Sequence, residues 1–370
     1  MATKSNRLVP ARAIHPGEVL GEELRERGIK QKDFARLIGV QPTHLNEFIK
    51  GKRNLNDDLA IKLESILGIP YKTWMELHNG YLYDLKAVGK RKEEERQAIE
   101  YEQSCADIIN LKCLYKRLDM NDMTCLERVR KLKELFSFDL RSSGELRLHV
   151  AGMYKHSEKV QADDKCMLTW LVLNWLETSH STVDRDYVQG DALKAAKDIA
   201  QMANSRHMDV ESIKKCLNSY GISYVEVPKI DKTPIDAYST ISNGHPCITV
   251  TYRYNDMDKL AFDILHELCH IDRHLSDEYT AFIAIEGYEY STDRREKEAN
   301  AFARQTLIPD TIWSQILGIG CASLSPFNVA KTIAREAEKC GISPSIAISR
   351  YKHDTGWYKT SAYKSPKIFS

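Results

Sequence analysis

No two of the nine cysteines form a C-x-x-C pair, and their odd number and wide scatter from Cys105 to Cys340 argue against a disulfide framework and for a reducing cytoplasm. Long apolar runs are also missing. The longest, around Met167 to Leu176, is interrupted by Thr169 and Asn174, and no basic start followed by an apolar core and a cleavage site stands near Met1, so neither membrane spanning nor secretion is expected. Net charge is nearly absent too: 53 Lys+Arg against 52 Asp+Glu leave +1, and any attraction for nucleic acid must come from local asymmetry. Internal repeats and low-complexity tracts are lacking. What remains is 370 residues, 42% hydrophobic and 28% charged, which excludes disorder as the dominant state and provides cores for two or three domains of ~100 to 200 residues each.

Charge divides the chain. Residues 1–55 hold eleven Lys/Arg and six Asp/Glu, whereas residues 56–80 hold two and four, so the N-terminus is the basic end. The mixed run KRKEEER at Lys90 to Arg96 reads as the exposed start of a connecting helix, which places a boundary near residue 86. The expected organisation is mainly α. It comprises a five-helix domain over residues 1–85, a helical middle segment over 86–190 (helices at 90–117, 122–136 and 160–178), an α+β domain with a small β-sheet over 191–345, and a tail over 346–370. In the third part, helices at 191–203 and 209–219 precede β-rich runs at 223–227, 237–241 and 246–253. The last run alternates Ile248, Val250 and Tyr252 with Thr249, Thr251 and Arg253, as a half-exposed edge strand would.

Residues 16–85 break into short amphipathic helices at about 16–27, 31–38, 41–50, 56–67 and 71–85. The second ends at Gly39 and the third starts almost at once, with Pro42 in a first turn that tolerates proline. This is helix-turn-helix grammar: Ala35 is the small contact between helices, Val40 fills the turn, and Leu45, Phe48 and Ile49 anchor the third helix. Its polar residues Gln41, Thr43, His44, Asn46 and Glu47 are candidates for base edges in a major groove, and Gln31, Lys50, Lys52 and Arg53 for phosphates.

The second constellation lies on DKLAFDILHELCHIDRHL, residues 258–275, where Leu260, Ile264, Leu268, Ile271 and Leu275 mark a buried helix. It carries H-E-x-x-H. His266 and His270 are one turn apart and can converge on one Zn²⁺, while Glu267 can act as general base on an adjacent water. With 12 histidines in the chain, the pentapeptide is expected by chance roughly 0.03 times, so it calls for a third ligand. A following helix from Thr292 or Asp293 to Leu307 supplies one. Glu296 and Asn300 share a face at i and i+4, so that Glu296 can ligate while Asn300 orients a histidine; small Ala299 and Ala303 allow close packing. Glu298, about 200° around the helix from Glu296, is the competing ligand. His274 continues the four-residue spacing but lies ~12 Å along the helix from His266, too far to share the ion, so it is expected either at the surface or behind the ligands, supporting them. Cys269 reads as a small buried hydrophobe. His245, Arg253, Tyr279, Tyr288 and Tyr290 are candidates to stabilise an oxyanion.

On these residues the chain resembles two known families. Residues 15–85 resemble HigA-type antitoxins of the Cro/repressor helix-turn-helix class through His15-Pro16-Gly17-Glu18, Gln31, Phe34-Ala35, Gly39-Val40, Leu45-Asn46-Glu47, Ile49, Gly51-Lys52-Arg53 and Trp74 with Leu77. That resemblance implies a homodimer on a palindromic operator and autoregulation. Residues 191–310 resemble the ImmA/IrrE metallopeptidases, a gluzincin-like group, through the Pro246 to Thr251 strand, His266-Glu267-Leu268 with His270 and His274, Glu296, Glu298-Ala299-Asn300, Phe302-Ala303 and Leu307-Ile308-Pro309; Cys269 replaces the usual glycine. Tyr154-Lys155, Ser157, Leu168 and Trp170-Leu171 of the middle segment are similar to longer regulators joining the two modules. Two functions compete. One is a DNA-binding regulator whose zinc peptidase domain cleaves a regulatory protein partner. The other is a non-proteolytic antitoxin or repressor whose C-terminal domain binds a toxin or senses metal.

Overall fold

The computed structural model describes residues 8–142, 164–275, 281–285, 294–318, 326–356 and 363–369. Among them the chain is mainly α, with one four-stranded sheet, and it divides into two compact units, Met1–Tyr101 and Glu102–Ser370. No described helix is long and apolar enough to cross a membrane.

In the first unit, helix α1 (Pro16–Glu26) starts from an unusual cap. The His15 Nδ1 accepts from the Gly17 N–H at 2.9 Å, and Glu18 Oε1 accepts from the His15 N–H at 3.3 Å, so the two side chains satisfy amide groups reciprocally around Pro16. Helix α2 (Gln31–Leu37) ends in a turn through Gly39 at φ +62°, and α3 (Pro42–Ile49) follows. Helix α4 (Asp57–Leu67) begins where the Asn56 side chain accepts from the Leu59 N–H at 3.0 Å. Leu20, Leu24, Phe34, Ala35, Leu45, Phe48, Leu63 and Trp74 form the core.

The expected break near residue 86 is absent. Helix α5 runs unbroken from Tyr71 to Ala106, because KRKEEER laces its own exposed surface: Lys90 faces Glu94, Arg91 faces Glu95, and Arg96 pairs with Glu93 and Glu100. The compact units part at Tyr101, so the middle helices belong with the C-terminal domain.

In the second unit, α6 (Leu111–Arg117), α7 (Cys125–Leu135) and α8 (Asp164–Ser179) are the middle helices, and Tyr154, Lys155 and Ser157 lie outside the described residues. Then come α9 (Asp191–Ser205), α10 (Val210–Ser219) and the strands β1 (Ser223–Glu226), β2 (Ile235–Ser242) and β3 (His245–Val250). Helix α11 (Met257–Arg273), strand β4 (Ala281–Ile285), α12 (Arg294–Leu307), α13 (Asp310–Leu317), α14 (Pro326–Lys339) and α15 (Pro344–Thr355) complete it.

The sheet order is β1-β3-β2-β4, with β1 parallel and β2 antiparallel to β3. Strand β3 is therefore interior, which overturns its reading as an edge. All six of its residues are buried, and Thr251 just beyond it is buried because its hydroxyl donates to the Ile235 carbonyl at 2.8 Å. The proposed division at residue 345 fails as well: it cuts α15, whose Ile346, Ala347 and Ile348 are core residues. Beyond that helix, the Pro366 carbonyl accepts from the Met257 N–H at 3.0 Å and the Ser365 hydroxyl from the Asp258 N–H at 2.9 Å, so residues 363–369 help start α11.

Candidate functional site

Helix α11 is positioned from its N-terminal end. Asp256 caps it, accepting from the N–H groups of Asp258 and Lys259, and the Lys259 ammonium bridges Asp263 at 2.6 Å to Asp236 of β2 at 3.0 Å. Its apolar residues Leu260, Ile264, Leu268 and Ile271 pack into the main core, and β2, β4, α9 and α12 lie against it. Ala299 and Ala303, both fully buried, let α12 approach closely.

That approach closes the expected cluster. His266 Nε2 and His270 Nε2 are 3.0 Å apart, and the two oxygens of Glu296 lie 3.2 and 3.4 Å from them. Three atoms at corners of a tetrahedron, each ~2.0 to 2.1 Å from a central Zn²⁺, are roughly 3.3 Å from one another, so the donor set has the right size as well as the right chemistry. Among the described residues, His266, His270 and Glu296 are the group of three His, Cys, Asp or Glu side chains that can share an ion. Asn300 stands where its spacing from Glu296 predicts, with Oδ1 3.0 Å from His266 Nδ1.

Electrostatics follow from burial and neighbours. Burial disfavours a charged His266, but Glu296 and Glu267 outweigh it and hold its pKa above the ordinary value; His270 is pushed down to about 4 by burial, with His266 and His274 on either side adding to the push. For Glu296 the two imidazoles overcome the cost of burial, and the carboxyl stays well below the usual range. Glu267 is the exception. It is fully buried, and burial pushes it up to about 8 against the opposing pull of His266 and Ser239; neither oxygen finds a hydrogen-bond partner among the described residues. An orphaned carboxyl beside a preformed donor set is a group waiting for a partner.

The other candidates are placed differently. Glu298 accepts from Arg273 at 2.7 Å and is turned away from the cluster, in agreement with the preference for Glu296. Cys269 is fully buried, its thiol pushed up to about 12 by burial, as a small hydrophobe would be. Arg253 is held by Asp236 at 2.8 Å, and His245 Nε2 lies 3.3 Å from the Ser181 hydroxyl. Tyr279, Tyr288, Tyr290, Thr292 and Asp293 lie outside the described residues. A cavity of about 640 Å³, unforeseen in the sequence, opens beside His266, Glu296 and Asn300 between α11, α12 and α15. Its far wall includes Arg304, Arg350 and Asp354, and only the tertiary packing of α15 could have announced it.

In the first unit, Gln31, Gln41, Thr43, His44, Lys50, Lys52 and Arg53 are exposed on or beside α2 and α3, while Asn46 and Glu47 are half-buried. Arg53 reaches back to Glu47 at 3.3 Å, so one charge of each sign is partly spent within the candidate interface. The α3 register is fixed by Leu45 and Phe48 beneath it and by the Val40 N–H donating to the Ala35 carbonyl at 2.9 Å.

Comparison with known proteins agrees with both modules. A helix-turn-helix family model matches residues 20–74, and the IrrE N-terminal-like domain of peptidase family M78 matches residues 218–318. Virulence-associated protein I of Dichelobacter nodosus is 33% identical over 88 residues, 24% of this chain and 76% of that protein. The uncharacterised HTH-type transcriptional regulator YddM of Escherichia coli K12 is 30% identical over 66 residues, 18% and 70% of the two chains. Among solved structures, a putative antidote protein of a plasmid maintenance system from Nostoc punctiforme (34% identical, 24% of this chain and 97% of that one, TM-score 0.22) and the Pseudomonas aeruginosa antitoxin HigA with its higBA promoter (30% identical, 22% and 90%, TM-score 0.21) are similar to the N-terminal part. The chain belongs to the helix-turn-helix family through its first unit and carries, in the same polypeptide, an IrrE N-terminal-like domain of peptidase family M78.

Proposed function

We propose that this protein is a DNA-binding transcriptional regulator of the HigA antitoxin type whose second unit is a zinc-dependent peptidase acting on a regulatory protein partner. The observation that carries the reading is the closure of His266, His270 and Glu296 at zinc-sized separations, with Glu267, next to His266 on the same helix, buried and without a hydrogen-bond partner among the described residues. Those three residues would hold the ion. When bound there, Zn²⁺ would supply a Lewis acid that acidifies water and polarises a carbonyl. Glu267 would accept a proton from the attacking water and return it to the departing amine. Asn300 holds the His266 ring through Nδ1. An extended substrate adds at a sheet edge, and β4, which α11 also touches, takes the place that β3 cannot fill.

The helix-turn-helix unit places α3 in the major groove, with Gln41, Thr43, His44, Asn46 and Glu47 toward bases and Gln31, Lys50, Lys52 and Arg53 toward phosphates, in a homodimer on a palindromic operator. The P. aeruginosa antitoxin with its promoter is the precedent in kind. A second reading is a non-proteolytic antitoxin that binds a toxin or senses metal, for which the helix-turn-helix match over residues 20–74 is the supporting observation.

One experiment separates the two. Zinc analysis of wild type and Glu267→Gln is joined to a gel in which each is mixed with the adjacent gene's product and operator DNA. The peptidase reading expects zinc in both proteins and cleavage by wild type alone, with the rate lowered about 10²- to 10⁴-fold in the variant. A stable complex with no cleavage by zinc-loaded wild type supports the second reading.

A further inference from the structure

Helix α11 carries a third histidine one turn beyond the H-E-x-x-H pair. His274 is too far along the axis to share an ion with His266, and it is not at the surface either: its side chain is 6% exposed, enclosed between α11 and α12. Its Nδ1 lies 2.8 Å from His270 Nδ1, with ring centroids 4.9 Å apart. On its other side, Nε2 lies 3.5 Å from Glu298 Oε2, and Glu298 Oε1 accepts from Arg273 Nη1 at 2.7 Å.

Proton bookkeeping gives this chain a direction. The His270 nitrogen facing Glu296 and His266 is Nε2, so Nε2 must be the bare lone pair if the ring is to ligate an ion. The His270 proton then sits on Nδ1 and donates to His274 Nδ1. That nitrogen must be an acceptor, which places the His274 proton on Nε2, facing the Glu298 carboxylate. Each link admits one tautomer, and Arg273, whose guanidinium also lies over the Phe302 ring at 5.3 Å, anchors the last. His266 has a shorter arrangement of the same kind, its Nδ1 meeting the Asn300 amide oxygen.

We propose that His274 and Glu298 are positioning residues of the metal centre, selecting the tautomer and ring orientation of His270 that present Nε2 to Zn²⁺. The proposal rests on the reading of His266, His270 and Glu296 as the ligands. It also accounts for Glu298, which lies on the wrong side of α12 to ligate yet is tied to the centre through an imidazole.

The test measures Zn²⁺ affinity of the full-length chain by competition with a chromophoric chelator, together with the visible absorption of the Co²⁺-substituted protein. His274→Ala should weaken Zn²⁺ binding by about 10- to 100-fold and alter the Co²⁺ spectrum. His274→Asn, whose Oδ1 stands near the place of the imidazole Nδ1 and accepts from His270, should recover most of the affinity; Glu298→Gln should lose part of it. Affinity within twofold of wild type for His274→Ala, or equal weakness of the Ala and Asn variants, overturns the proposal. Should circular dichroism show His274→Ala unfolded, the pair of His274→Asn and Glu298→Gln decides: Glu298→Gln binding as wild type does overturns it. A wild-type chain that binds no Zn²⁺ refutes the ligand set itself.

Discussion

Gly17→Ala is a sharp test of how the helix-turn-helix unit is built. Gly17 has ordinary backbone angles, so its role is not conformational freedom. A methyl group added there would lie 1.9 Å from the Phe48 carbonyl oxygen and 2.6 Å from its carbon, where ordinary contacts are above 3 Å. The obstacle is backbone of α3, so no rotamer change relieves it: α1 and α3 must separate by more than about 1 Å, in a core where Phe48 and Leu20 are fully buried. Overpacking of this kind costs typically 1–3 kcal/mol, and a backbone collision belongs at or above the upper end, about 3 kcal/mol. Against a total of ~5 to 15 kcal/mol for a domain, that loss is large. It also displaces the helix proposed to read DNA. The measurement is urea unfolding of the full chain, followed by hydrogen exchange of amides in α1 to α4, together with operator binding. Protection falling by about 3 kcal/mol in this unit alone, with unchanged exchange in α11, is expected. A loss below 0.5 kcal/mol would show that α1 and α3 are not in this close register.

Three further outcomes follow from the charged groups. Burial raises the Asp258 carboxyl to about 6, so its ionised form opposes folding; the penalty is absent below the unfolded value near 4, grows between pH 4 and 6, and is complete above that. Asp258→Asn should raise the stability of the second unit by about 1–3 kcal/mol at pH 7.5 and leave it unchanged at pH 4, and a pH-independent difference in urea midpoints would refute this. Neutralising Lys52 and Arg53 together should lower the slope of log affinity against log salt for operator DNA by roughly 1 to 2, less than two full phosphate contacts because Glu47 already engages Arg53; an unaltered slope would deny both a phosphate role. Glu267→Met, which removes a buried carboxyl without opening a cavity, should raise the melting temperature of the metal-free chain, and a lower one would mean that the carboxyl has a partner there.

What could be read from the sequence was local. Gly39 and Pro42 punctuate two short helices within a dozen residues, and His266, His270, Glu296 and Asn300 sit at helical spacings that fix their faces before any packing is known. The strands show the limit. Thr249 and Thr251 make β3 look half-exposed, but pairing with β1 and β2 occupies both of its edges and packing over the sheet buries all six of its residues, which alternation along one strand does not reveal. Helix α5 misled for a related reason: a charged run reads as a boundary, whereas at four-residue intervals the charges pair and keep the helix going. Four-residue spacing brings His274 one turn beyond His270, but its neighbour Glu298 comes from another helix, so that contact depends on the packing of α11 on α12.

Helix α11 carries a polar load that a purely structural helix would shed. Asp258, Asp263, His266, Glu267 and His270 are all buried on it. Most have compensation within reach: Lys259 serves Asp263, Glu296 lies between the imidazoles, and Asn300 and His274 occupy their outer nitrogens. Neither oxygen of Glu267 has a hydrogen-bond partner among the described residues, and only His266 and Ser239 act against its burial, where a lysine or arginine in place of Ser239 would have supplied a cation. Such a cation would hold the carboxyl ionised and tie it down, which is favourable for folding and unfavourable for a group that must gain and release a proton. Asp258 and Glu267 both carry a carboxyl raised by burial on α11, and it is Glu267, next to the ligand histidine, whose freedom the proposed chemistry requires.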